Sequence, residues 1–167
     1  PLDFGPQKNV EAMKQKISKY GWEVLSTWAM GDSLETLSLA GAAEVNLVVS
    51  SVGIPAAKVL KEKFGTPYVI GTPIGEFTEV LVQELNKVTK NRNAQEKPGS
   101  DQNKASYLRR RLQESAELTV IGEAVTMGSL AAAVEKKYLK AVRVICPLET
   151  YEGLLGENDR VSRGEEE

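Results

Sequence analysis

With 167 residues, 41% of them hydrophobic and 26% charged, the chain is long enough for one compact globular domain and too short for two full ones. Its net charge of -2 calls for no nucleic-acid partner. The sequence has no histidine and a single cysteine, Cys146, which argues against an internal disulfide, Ser-His-Asp or Cys-His nucleophilic catalysis, zinc hydrolase chemistry and a His-ligated haem carried by these residues. No apolar run is long enough to span a bilayer and no signal peptide is recognisable, so a cytoplasmic protein without membrane contact is expected. The start at Pro1 rather than at methionine leaves a fragment or a processed form open.

Residues 1–5, PLDFG, are too short for a strand of their own and read as the stub of an element that began upstream. Residues 7–20 predict a helix with Val10, Met13, Ile17 and Tyr20 on one stripe, ended by Gly21. Residues 22–28, WEVLSTW, have the aromatic and β-branched content of a strand, with Trp22 and Trp28 on one side of it as core or interface residues. Asp32 or Ser33 caps the next helix, with Glu35 as a capping-box partner and Leu34, Leu37 and Ala40 on its buried side.

Residues 45–75 carry the plainest pattern. VNLVVS and TPYVIG are short buried strands, and between them residues 54–64 place Ala56, Val59, Leu60 and Phe64 on one helical face. Pro55 sits where a first-turn proline is tolerated and Gly65 where a helix ends, so the stretch predicts a right-handed βαβ crossover in a parallel sheet. A further helix over 76–90 carries Phe77, Leu81, Leu85 and Val88. Residues 91–103 lose all periodicity around Pro98 and Gly99 and read as a linker or mobile loop.

Beyond it a second α/β segment is expected over 104–155, packed on the same sheet. Its parts are a helix around Leu108, Leu112 and Ala116, with Arg109, Arg110 and Arg111 on its solvated face, the strand LTVIG at 118–122, a helix lined by Met127, Leu130, Val134 and Tyr138, and the strand VRVIC at 142–146. The tail 156–167 is polar and expected to fray.

In a parallel sheet, ligands collect outside the carboxyl ends of the strands. There SSVG at 50–53 and GTPIG at 71–75 suit an anion or a cluster edge, and tight strand-to-helix connections account for them equally. GTPIG lacks the Lys-Ser/Thr pair of a phosphate loop, and no GxGxxG occurs. Glu123 and Glu149 would end at adjacent turns if the last two strands pair, as a carboxylate pair or as helix caps. Cys146 reads as a metal ligand, a reactive thiol or a small packing residue.

Three stretches, GWEVLSTWAMGDSLETLSLAGAAEVNLVVS, KVLKEKFGTPYVIGTPIG and LTVIGEAVTMGSLAAAVEKKYLKAVRVICPLE, resemble the component 1 proteins of nitrogenase and their relatives in cofactor assembly and tetrapyrrole reduction. The resemblance implies a Rossmann-like, doubly wound α/β fold, with a mainly parallel sheet of about five strands flanked by helices, residues 1–90 forming the first unit. It implies a subunit of a homo- or hetero-oligomer whose parent accepts electrons from an ATP-dependent iron protein and reduces a substrate at a metal–sulfur site. Where the catalytic subunit of nitrogenase has an iron-ligating cysteine after the matching strand, this chain has Ser50, and a hydroxyl is a poor cluster ligand.

The resemblance therefore implies no cofactor, metal ligand or catalytic residue within the chain, which is incomplete as an enzyme. Ser50, Ser51, Gly53, Gly71 and Gly75, with Asp32 and Glu123 as neighbours, would shape the parent's pocket and donate backbone hydrogen bonds. A central first strand of the domain would be missing, its gap filled by LTVIG or by a second copy of the chain. A flavodoxin-like or metal-receptor-like module for a small ligand, and a cofactor-assembly scaffold presenting Trp22 and Trp28 to a partner, stay open beside this reading.

Overall fold

A computed structural model describes residues 7–28, 31–93 and 104–162; the stub expected at 1–5, residues 94–103 of the expected linker and 163–167 of the tail lie outside them. The β1–α3–β2 unit forms where the pattern places it, with β1 at Asn46–Val48, α3 at Ile54–Phe64 and β2 at Tyr68–Ile70. β1 and β2 pair in parallel, Leu47 opposite Val69. Pro55 lies in the first turn of α3, and Gly65 closes the helix in the left-handed region at φ 65°, its N–H donating to Lys61 O at 2.9 Å. The buried stripe of α3 is Ile54, Ala57 and Leu60, so the expected face is rotated by about one ridge and shares only Leu60 with it. Ala57 lets the helix approach the sheet, while Phe64, 53% exposed, lies over Gly41, where a Cβ would stand 3.1 Å from its ring.

Helices α1 (Gln7–Ser18) and α4 (Phe77–Asn93) bury Val10, Ile17, Phe77, Leu81 and Leu85, whereas Tyr20, expected on the first stripe, lies beyond the end of α1 and is exposed. α4 runs on through 91–93, so the break in the pattern begins later than expected. The second unit is β3 (Leu118–Ile121), α5 (Ala124–Tyr138) and β4 (Val142–Cys146), extended by β5 (Arg160–Val161). All its strands pair in parallel, in the order β3-β4-β5. Among the described residues the fold is α/β with five parallel strands flanked by helices, and those strands divide into two sheets instead of forming one.

The division has a local cause. Asn46 N–H donates to Pro67 O, and Gly71 N–H to Val48 O, so the peptide groups of Ile70 face the outer edge of β2. There Ser106 Oγ donates to Ile70 O at 2.7 Å, occupying the carbonyl that a further strand would use. LTVIG pairs with β4 and does not complete the first sheet.

One hydrophobic core spans both units, from Val48 and Ile70 through Phe77 and Tyr107 to Val125 and Ala132. α5 meets it through small residues: a Cβ on Gly128 would lie 2.3 Å from the Tyr107 ring. The expected stripe of α5 is therefore secondary, with Met127 and Val134 half-buried against β4 and Tyr138 exposed. The Tyr107 hydroxyl donates to Leu154 O at 2.8 Å, and burial, reinforced by the Glu123 and Asp159 charges, holds the phenol well above its ordinary range.

Four expectations change. Residues 22–27 form no strand, because β-propensity yields a strand only where a neighbour supplies a ladder, and Thr27 N–H goes instead to the Asp32 carboxylate. Trp22 is half-buried against the core and Trp28 is exposed. α2 (Leu34–Ser38) is capped by Ser33, whose Oγ accepts from Thr36 N–H, and Leu34 is 81% exposed. The helix expected around Leu108 is a short 3-10 turn, Ser106–Arg110.

Fourth, Arg111 is no solvated charge: its side chain is 7% exposed and grips Glu135 and Asp159. Glu135 also accepts N–H bonds from Leu112 and Val142, and Asp159 from Val144 and Gly156, so the buried charges are paired and hydrogen-bonded. Residues 156–162 are thereby built into the fold as β5 and its approach, not left as frayed tail. Arg111→Ala, which strands two buried carboxylates, is expected to cost about 3–5 kcal/mol in urea unfolding. Lys140→Ala, which breaks an exposed pair with Glu117, is expected to cost less than about 1 kcal/mol.

Candidate functional site

Two residues beyond β1 comes an extended Ser50, after which Ser51–Gly53 make a 3-10 turn into α3. Ser51 N–H donates to Glu123 Oε1 at 2.9 Å. The other oxygen of Glu123 accepts from Thr126 N–H at 2.9 Å and from the Thr126 hydroxyl at 3.0 Å, so one carboxylate caps α5 and ties the SSVG turn to it. With both oxygens engaged in this way, Glu123 acts as a cap, and Glu149 is exposed.

The glycines are placed by packing. A Cβ on Gly71 would stand 2.9 Å from both Leu81 Cδ1 and Ser106 Oγ, and Gly75 turns at φ 47° beside Ala133. Next to Gly71, Thr72 N–H donates to Ser129 Oγ and the Thr72 hydroxyl to Val49 O, each at 2.9 Å. The expected cradle of backbone donors is consumed internally, since Ser51 N–H serves Glu123, Gly53 N–H serves Ser50 O and Gly71 N–H serves Val48 O. Asp32 acts at one remove, through Thr27.

What remains open is a cleft of about 700 Å³ between α1, residues 20–28 and the side of β1 away from β2. Ser50 and Gly53 line it, with Thr27, Asn46 and Leu47. Three buried polar atoms on its lining residues, Thr27 Oγ1, Asn46 Nδ2 and Ser50 Oγ, have no hydrogen-bond partner, and Ser50 as a whole is 1% exposed. Gly71, Gly75 and Glu123 lie outside the lining. Sequence reasoning missed Thr27, Asn46, Thr72 and Ser129; of these only Ser129, a hydroxyl inside the small-residue run GSLAAA, left a visible signal.

Among the described residues no three His, Cys, Asp or Glu side chains converge to hold a metal ion. The donor chemistry agrees with that geometry. The Cys146 thiol is buried and donates to Leu148 O, and the cleft is lined by hydroxyls, amides and the carboxylates of Glu23 and Glu44 with no thiol or imidazole, so the residues present do not fit a metal–sulfur cluster.

The sequence profile described as nitrogenase component 1 type oxidoreductase matches residues 2–135. The chain is 33% identical over 92 residues to one of the subunits of the light-independent protochlorophyllide reductase of Zygnema circumcarinatum. That match takes in 52% of this chain and 18% of the relative, so the chain spans less than a fifth of the protein it matches. No solved structure matches it at a significant level.

Glu123→Ala frees two helix-start N–H groups at once and is expected to cost about 1–3 kcal/mol in urea unfolding, with Glu123→Gln in between. An unchanged midpoint for the alanine variant would show that the carboxylate does not hold the turn.

Proposed function

Because the chain belongs to the nitrogenase component 1 type oxidoreductases, we propose that it is part of a reductase subunit in which electrons from an ATP-dependent iron protein reduce a substrate at a metal–sulfur site. Within that subunit, which works as a homo- or hetero-oligomer, this stretch supplies wall and framework. The ligands and proton donors come from other residues.

The observation that carries this reading is Ser50. β1 delivers it to the cleft at the place where, by the resemblance, the catalytic subunit of nitrogenase carries an iron-ligating cysteine. Here that place has a buried hydroxyl and the chain's one thiol points into the core. Ser51, Gly53 and Gly71 spend their N–H groups on holding the turn and the ladder, and Gly75 and Asp32 set the surrounding loops. The volume of the cleft, within the roughly 300–1,000 Å³ of small-molecule sites, favours as a second reading a binding module for a small ligand.

Two measurements separate these readings. The polypeptide that carries this stretch, purified anaerobically from its native cells, is expected to be brown and to hold iron and labile sulfide. The 167-residue chain, incubated with ferrous iron and sulfide and desalted, is expected to stay colourless. A colourless, iron-free native protein would sink the reductase reading, and a brown 167-residue chain would sink the assignment of its residues as framework.

A further inference from the structure

We infer that residues 22–26 are a hinged cover over the cleft, which swings on Gly21 and seats the side chains of Val24 and Leu25 in the space between α1 and β1. The movement belongs to this chain's own residues and does not depend on the reductase reading. The segment runs from a pivot to a pin. Gly21 lies in the left-handed region at φ 84°, and a Cβ there would meet nothing within 4 Å, so the position needs a glycine for its backbone and not for its packing. At the far end Thr27 N–H is held by the Asp32 carboxylate.

Between them the hold is weak. Residues 22–26 belong to no helix or strand, and no backbone hydrogen bond joins them to another described residue. Such a stretch opens and shifts at the lowest cost in a fold. Trp22, Glu23 and Val24 border the cleft of about 700 Å³ and also a hollow of about 300 Å³ against Lys14, Gln15 and Ser18 of α1. The segment therefore has room to move and no described hydrogen bond to break.

Burial supplies the drive. Val24 is 40% exposed and Leu25 43%, and both border a wall that includes Val10, Ile17, Leu47 and Leu60. Moving the two side chains inward takes apolar surface out of water on both sides of the contact. The charged residues of the lining keep to its wet side, since Glu23 and Glu44 are exposed and Lys14 is paired with Glu11 at 3.4 Å. Closed, the cover fills space that Ser50 and Gly53 also line, so a small ligand of the cleft has to displace Val24 and Leu25.

Thiol labelling of Leu25→Cys by a water-soluble aromatic disulfide reads the cover in solution, with the buried Cys146 as the slow internal reference. The folded chain is expected to label about tenfold or more slowly than the same chain unfolded in urea. Ala56→Phe, which fills the cleft from α3, is expected to speed labelling of the folded chain by about fivefold or more, and Ala43→Leu, which fills it from the loop before β1, to do the same. Circular dichroism checks that each variant is folded. A Leu25→Cys thiol that reacts as fast folded as unfolded overturns the inference. A slow thiol that neither filling variant speeds up shows the segment held by something other than the cleft and also overturns it.

Discussion

The Glu123 carboxylate receives N–H groups from two helix starts, Ser51 before α3 and Thr126 in α5, each at 2.9 Å. A carboxylate at one helix N-terminus is an ordinary cap, worth about 1 kcal/mol. Shared between two, it sets the distance between the carboxyl end of β1 and the carboxyl end of β3. The same joint is repeated by neutral groups: Ser129 of α5 accepts from Thr72 after β2, and Ser106 donates to Ile70. These ties take up polar groups at the end and outer edge of the first sheet, so the two βαβ units pack through α5 and a common core instead of zipping into one sheet.

That constraint decides what the strand-end turns can do. A turn rich in serine and glycine invites an anion because its N–H groups are free. Here the N–H groups of Ser51, Gly53 and Gly71 are committed, one of them to an anion of the chain's own. The open space lies instead in the cleft beside β1, whose lining includes Thr27, Asn46 and Ser50. The Arg111 network keeps the far sheet rigid without touching this region, since its contacts go to α5, β4 and the residues before β5.

The β1–α3–β2 unit was legible because its punctuation is local: Pro55 opens the helix, Gly65 closes it, and each strand is a short apolar run. Ser50, Ser51 and Gly53 were legible for the same reason, as residues at a strand end. What escaped depends on distant partners. Residues 22–28 have strand composition, but a strand needs a neighbour, and none of the described strands pairs there. In the sequence Arg111 looks no different from Arg109 and Arg110 until Asp159, 48 residues on, is brought to it. Glu123 could be read as a cap, but its reach to Ser51, 72 residues away, could not. α5 hid its main face because alanine and glycine raise no hydrophobic stripe, although the close approach of Tyr107 requires them.

Native-state hydrogen exchange at Ser51 and Thr126 tests the shared carboxylate most directly. Both amides are predicted to be protected and to open together, with one free energy, because one side chain holds both. A Ser51 amide exchanging at the rate of an open loop, while Thr126 stays protected, would mean that Glu123 caps α5 alone and that the two units are not joined there.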